Sequence, residues 1–206
     1  MKNKTIEQIL ADVGEDKHEN FSTTSFKFKR DLWEFFTNGP NLTFNPSEAN
    51  VVEYGTHKGQ TTRVLSHIFK HVFTVNLPGH FDQAMINNSD CKNITYVPLN
   101  LYQSPIDAPF TNEPISVFFI DAVHTFDAVM SDFSRSLNLT LGDDVYFVFD
   151  DYGTYNDVFV AVEQLIRVGE LEKTMYIGHP PRHSFGGTPP RVLANYEGVI
   201  CRYIGQ

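Results

Sequence analysis

Three runs of apolar residues in this chain each stop on an acidic side chain, and that repetition limits the fold more than any other feature. Val51-Val52 leads into Glu53, Ile115 to Ile120 leads into Asp121, and Val145 to Phe149 leads into Asp150 and Asp151. Runs this short and this apolar read as strands buried on both faces. The amphipathic stretches between them, such as Val64, Leu65, Ile68 and Phe69 after the first, read as helices. Strands alternating with helices make an α/β fold around a parallel sheet, in which the carboxyl ends of the strands form the ligand edge. Glu53, Asp121, Asp150 and Asp151 are therefore expected to converge there.

The first strand runs into its helix through Glu53-Tyr54-Gly55-Thr56-His57-Lys58-Gly59, followed by Gln60-Thr61-Thr62. Gly55 and Gly59 permit a tight turn and a close approach of backbone to ligand, so a side chain at Gly55 is expected to fill ligand space. Thr61 or Thr62 is a candidate helix cap that leaves amide donors near the ligand. The spacing is neither the dinucleotide fingerprint Gly-x-Gly-x-x-Gly nor a Gly-Lys-Ser/Thr phosphate loop.

Glu53-x-Gly55-x-x-x-Gly59 resembles the first motif of class I S-adenosylmethionine (SAM) methyltransferases, Glu-x-Gly-x-x-x-Gly. Ile120-Asp121-Ala122-Val123-His124 stands where one branch of that family carries the strand-four signature Ile-Asp-Gly-x-His, and Phe149-Asp150-Asp151-Tyr152 resembles its strand-five signature Phe-Asp-Asp-Tyr. The resemblance covers roughly residues 48 to 165 and is closest to the methyltransferase-24-like branch and the metal-dependent small-molecule O-methyltransferases. It implies a Rossmann-like fold: a mostly parallel seven-stranded sheet in the order 3-2-1-4-5-7-6, helices on both faces and a C-terminal antiparallel strand pair. It also implies SAM as cofactor.

Carried onto this sequence, the resemblance places Glu53 at the amino group of the cofactor, with Gly55, Thr56, Gly59 and Asp121 lining its site; the alternative for Glu53 is a strand-end carboxylate that caps a loop. Strand two departs from the pattern. An acidic residue there usually accepts from both ribose hydroxyls, whereas this chain has Asn76, with one carbonyl acceptor, and Asp82 is a substitute. Asn100, after strand three, is the candidate for hydrogen bonding to adenine, with Leu101 or Tyr102 packing on the ring; a structural turn is the competing role for the Asn.

Asp121, Asp150 and Asp151 resemble the ligands of divalent-cation-dependent relatives, and hard oxygen donors suit Mg²⁺ or Mn²⁺ better than zinc. Without a cation, carboxylates packed together repel one another and their pKa values rise. His124, three residues after Asp121, is the candidate general base, because an imidazole titrates near neutral pH. Asp121, the second candidate catalytic residue, would with Asp150 and Asp151 hold a cation or orient the substrate directly. The competing role for His124 is a scaffold hydrogen bond at the start of a helix. Arg182, His183 and Arg191 lie in a long Pro/Gly-rich loop that is either a substrate lid or a plain hairpin connection.

The expected activity is methyl transfer from SAM to a hydroxyl of a small molecule, with a sugar or polyol as the first acceptor to consider. A noncatalytic or SAM-cleaving methyltransferase-like domain is the alternative. With 16 Lys and Arg against 25 Asp and Glu, the net charge is −9. That balance argues against nucleic acid as a partner. A homodimer is left open. The chain opens on a polar segment and contains no apolar run of membrane-spanning length. Its two cysteines, Cys91 and Cys201, lack metal-ligand spacing and are expected to be free thiols, with a single disulfide as the alternative. A cytoplasmic protein without membrane contact is expected. The 206 residues form one domain, with residues 1–47 an N-terminal helical segment and 48–206 the Rossmann-like core. Within them, helices are expected at 25–36, 60–70, 82–87, 124–139 and 156–168. Strands are expected at 50–54, 71–76, 94–98, 115–120, 144–149, 175–178 and 199–204.

Overall fold

A computed structural model describes residues 4–13, 24–39, 42–107, 109–179 and 195–205. Its elements run α1 (Ile6–Ala11), α2 (Phe26–Asn38), β1 (Asn50–Tyr54), α3 (Gln60–Ile68), β2 (His71–Asn76), α4 (Asp82–Asn87), β3 (Ile94–Pro98), β4 (Ile115–Ile120), α5 (Phe126–Leu137), β5 (Leu141–Phe149), α6 (Asn156–Arg167), β6 (Leu171–Ile177) and β7 (Gly198–Tyr203). The seven strands form one sheet in the order β3-β2-β1-β4-β5-β7-β6. All neighbours from β3 to β5 are parallel, and β7 runs antiparallel to both β5 and β6. This is the Rossmann-like arrangement that the resemblance implies.

Alternation along each strand sorts the core into two layers. Val52, Tyr54, Phe118, Ile120, Phe147 and Phe149 face α5 and α6, which contribute Val129, Phe133, Val158, Val162 and Leu165. Val51, Val117, Phe119 and Val148 face the other way, onto Phe28, Leu32 and Phe36 of α2, Val64 and Leu65 of α3, and Ile6, Ile9 and Leu10 of α1. The N-terminal helices thus complete one face of the sheet. Each fully buried apolar side chain of this size contributes about 1.5–3 kcal/mol.

Helix starts follow local chemistry. Thr5 and Gln8 form a capping box at α1, Ser25 caps α2 and Thr125 caps α5. Because Thr125 is the cap, His124 lies in the β4–α5 loop and not within the helix. Two strands begin earlier than their hydrophobic runs, β5 at Leu141 and β6 at Leu171. In β5, buried Asp144 is satisfied by Thr43 Oγ1 and Arg202 Nε, both at 2.7 Å, so a carboxylate is tolerated inside the strand. In β6, a sheet edge, Glu172 and Thr174 face solvent and Lys173 pairs with Glu163, and this polar run masks the strand signal. Arg63, 2% exposed, ties three helices together. It donates to Ile9 O on α1, to Asn87 O on α4, and to both carboxylate oxygens of Asp90 at 2.7 and 3.0 Å. Cys91 and Cys201 are free thiols. Among the described residues no helix is long and apolar enough to cross a membrane.

Candidate functional site

The strand order reverses between β1 and β4, so the crevice of the sheet opens at their carboxyl ends. β1 ends there on Glu53-Tyr54. Strand alternation turns Glu53 toward α3, where it is 1% exposed. Its Oε2 accepts from Thr62 Oγ1 at 2.6 Å and Thr74 Oγ1 at 2.5 Å, and Thr74 Oγ1 lies 2.6 Å from Thr56 Oγ1. Oε1 has no hydrogen-bond partner among the described residues. Burial pushes the Glu53 carboxyl up to about 8, against the pull of the two threonines, and the charge of Asp121 adds to the rise. A buried, half-satisfied carboxyl is suited to an incoming N–H donor or cation.

Helix α3 begins at Gly59 with no side-chain cap. Neither candidate threonine caps it. Thr62 turns inward to Glu53, and Thr61 lies against Thr24, 3.4 Å between hydroxyls. The first amides of the helix therefore have no side-chain cap among the described residues. The two glycines are required, but by the protein itself. At Gly55 (φ +98°) a Cβ would stand 1.9 Å from the Asp121 carbonyl oxygen, and at Gly59 (φ +76°) 2.5 Å from Asn88 Nδ2 and 2.9 Å from Ala84 Cβ. The expectation that a side chain at Gly55 would fill cofactor space is corrected: it would fill the space of the β4 backbone first.

Asn76 and Asn100 both turn toward backbone. Asn76 Oδ1 accepts from Leu77 N at 2.8 Å, and Asn100 Oδ1 from Tyr102 N at 3.1 Å. Leu101 is buried, and Tyr102 donates its hydroxyl to Asp132 Oδ2 at 3.2 Å. The loop carrying them is strapped to α5 by buried Arg135, which donates to the carbonyls of Leu101, Ser104 and Pro105 at 2.7–2.8 Å. The sequence reading did not foresee this strap, because its acceptors are backbone atoms.

At the ends of β4 and β5, His124 Nε2 lies 3.4 Å from Asp121 Oδ1 and 3.1 Å from Asp151 Oδ2, while its ring packs on Tyr155 with centroids 4.4 Å apart. Partial burial alone would lower the imidazole pKa. The hydrogen bond that the ring donates to Asp121 and the charges of Asp151 and Asp121 outweigh it, and the net shift is upward. Burial and the charge of Asp121 push Asp151 up to about 6. Asp150 points elsewhere. Its Oδ2 accepts from Thr24 Oγ1 at 3.2 Å and its Oδ1 from Asp151 N at 2.8 Å, and burial together with neighbouring carboxylates raises it well above the usual range. The donor atoms that lie within 4.8 Å of one another belong to Asp121, His124 and Asp151, a trio that includes the histidine in place of Asp150. Two carboxylates and an imidazole form a donor set that fits a divalent ion.

Three further side chains reach this edge from distant parts of the chain. Thr24 and Lys29 come from the start of α2, and Glu197 precedes β7 and accepts from Ser25 N at 2.6 Å. Lys29 was detectable in principle, since it shares the core-facing stripe of α2 with Leu32 and Phe36. Arg182, His183 and Arg191 lie outside the described residues.

No family model matches the sequence, and no curated protein matches it. The fold has many solved counterparts. An O-methyltransferase from Bacillus cereus in complex with SAH superposes with a TM-score of 0.59 at 18% identity, over 100% of this chain and 92% of that one. The tRNA (m1A58) methyltransferase of Aquifex aeolicus gives 0.59 at 16% identity, over 99% and 78%. An rRNA methylase from Streptococcus thermophilus gives 0.56 at 15% identity, over 85% and 95%. At such low identity these likenesses establish the fold.

Proposed function

We propose that this chain is a SAM-dependent O-methyltransferase that acts on a hydroxyl of a small molecule, with a sugar or polyol as the acceptor class. The observation that carries the reading is His124, held between Asp121 and Asp151 at the strand edge that β1 shares, where Glu53 Oε1 has no hydrogen-bond partner among the described residues. The solved neighbours named as methyltransferases, one of them an O-methyltransferase holding SAH, support the choice of cofactor.

Bound SAM supplies an electrophilic methyl group on a positively charged sulfur. Glu53 Oε1 would receive its amino group, and the uncapped amides of α3 suit its carboxylate. Asn76 and Asn100 would lie toward ribose and adenine, as the resemblance implies. Because Nε2 of His124 is directed at the two carboxylates, its proton belongs there, and Nδ1 is the nitrogen left to accept the proton of the acceptor hydroxyl. Asp121 and Asp151 orient the ring and stabilise the imidazolium that forms, a division of labour familiar from His–carboxylate pairs. A positioned base of this kind is worth about 10²–10⁴-fold in rate.

A second reading is favoured by the compact donor set of Asp121, His124 and Asp151. These three would hold Mg²⁺ or Mn²⁺, and His124 would then be a ligand and not the base.

The test begins with calorimetric titration of SAM and S-adenosylhomocysteine, followed by a screen of hydroxylated acceptors with methyl-labelled SAM. On an acceptor that turns over, the base reading expects loss of activity in His124→Ala and indifference to chelator. The metal reading expects chelator to suppress turnover and Mn²⁺ or Mg²⁺ to restore it. Failure of SAM to bind would end both readings.

A further inference from the structure

Lys29 lies on the buried stripe of α2, beside Phe28 and one turn before Leu32, with no solvent exposure. An ammonium in such a place costs several kcal/mol unless negative charge and acceptors compensate it. Its Nζ donates to Thr24 O. Thr24 in turn donates from Oγ1 to Asp150 Oδ2, and the neighbouring Ser25 N–H donates to Glu197 Oε1. The turn that Lys29 ties down is thus the one that reaches two acids of the strand edge. The lysine charge also acts on Asp121 and Glu197, drawing both carboxyls back from where burial drives them.

We propose that Lys29 is a resident cation of this acidic edge, a positioning residue that offsets the charge of Asp121 and Glu197 and fixes Thr24 against Asp150 and Ser25 against Glu197. In doing so it sets how strongly the Asp121–His124–Asp151 trio attracts a divalent ion. The inference rests on that donor set and not on methyl transfer, so it is readable without turnover. Removing a buried positive charge close to a cation site strengthens the site through Coulomb interaction alone.

The experiment is a Mn²⁺ titration followed by electron paramagnetic resonance, on the full chain without cofactor. Lys29→Met should bind Mn²⁺ at least tenfold more tightly than the parent, and adding Asp151→Asn should cancel the gain. Lys29→Arg keeps the charge and should keep the parent's affinity, which a role confined to the packing of the lysine stem does not require. Glu197→Gln should bind no more tightly than the parent, and Lys29→Met placed on top of it should bring affinity up again. That pair removes one cation and one anion together and carries the same comparison if Lys29→Met alone does not fold. Equal Mn²⁺ affinity with and without the lysine charge, or no Mn²⁺ binding in any variant, would overturn the proposal.

Discussion

Glu53 is a carboxyl whose proton is held by the fold. Its pKa rises from 4.5 to about 8, so below pH 4.5 both folded and unfolded chains carry the proton and the group is neutral to stability. As pH rises from there toward 8, the unfolded chain sheds its proton first and stability falls. Glu53→Gln should therefore flatten the decline of Tm across this window. If the amino group of SAM meets Oε1, binding at pH 7 must ionise Glu53 and release up to one proton. Calorimetry in buffers of different ionisation heat should show that release, and Glu53→Gln should abolish it; a buffer-independent enthalpy would place the amino group elsewhere. Asn76→Asp would keep the Leu77 N–H on one oxygen and free the second for ribose. SAM affinity should then rise by about tenfold or more, since charged hydrogen bonds contribute about 1.5–3 kcal/mol. For His124 the pKa is raised, so the base form appears only above the ordinary imidazole range. The acid limb of kcat/KM should lie above about 6.5, and a limb below it would remove His124 as base. These residues were legible because they stand where apolar runs stop. Thr24 and Glu197 were not, since Ser25 and Glu197 meet across 172 positions of sequence and no local pattern records such a contact, and the only local sign of Lys29 is its place on the core-facing stripe of α2.

The element that decides whether the crevice exists is the β1–α3 turn, and its first glycine is pressed against β4. A side chain at Gly55 meets the Asp121 carbonyl at 1.9 Å and must also hold φ at +98°. Gly55→Val should therefore lower Tm and disturb the fold in the absence of any ligand, with weakened SAM binding a secondary effect. An unchanged Tm with lost SAM affinity would restore the cofactor as the reason for the glycine. The same turn shows how far sequence reasons reach. Strand–helix alternation fixed the element types, because buried parallel strands and amphipathic helices differ in period. The seven-strand order came with the family resemblance, which no period supplies. Hydrophobic pattern missed the openings of β5 and β6, where Asp143 and Glu172-Lys173 sit in strands whose side chains find partners or water. The α3 cap was misread for a related reason. A threonine at a helix start is a cap only if nothing deeper competes for its hydroxyl, and buried Glu53 competes successfully for Thr62.

At the scale of the whole molecule, net charge is the property by which binding of a small acceptor and binding of RNA should be told apart. The chain carries −9, and its cations are not all on the surface. Lys29, Arg63 and Arg135 are buried at 0%, 2% and 1% exposure, where none of them can reach a phosphate. Nucleic-acid affinity grows with the number of phosphates that Lys and Arg neutralise, and it falls steeply with salt. The solved neighbours include methyltransferases named for tRNA and rRNA, so the fold itself is compatible with either class of acceptor. The expectation of weak RNA binding rests on net charge alone, since acidic side chains outnumber basic ones by 25 to 16 along the chain. Fluorescence anisotropy with a tRNA transcript and an rRNA fragment should show no saturable binding up to about 10 μM at ~0.15 M salt, the range in which basic proteins already bind non-specifically. SAM, the proposed cofactor, is cationic at sulfur, so the same field should assist its binding, and its KM should rise with ionic strength. Tight RNA binding with a steep salt slope would mean that the described surface is not the one that meets the acceptor, and the small-molecule assignment would fall with it.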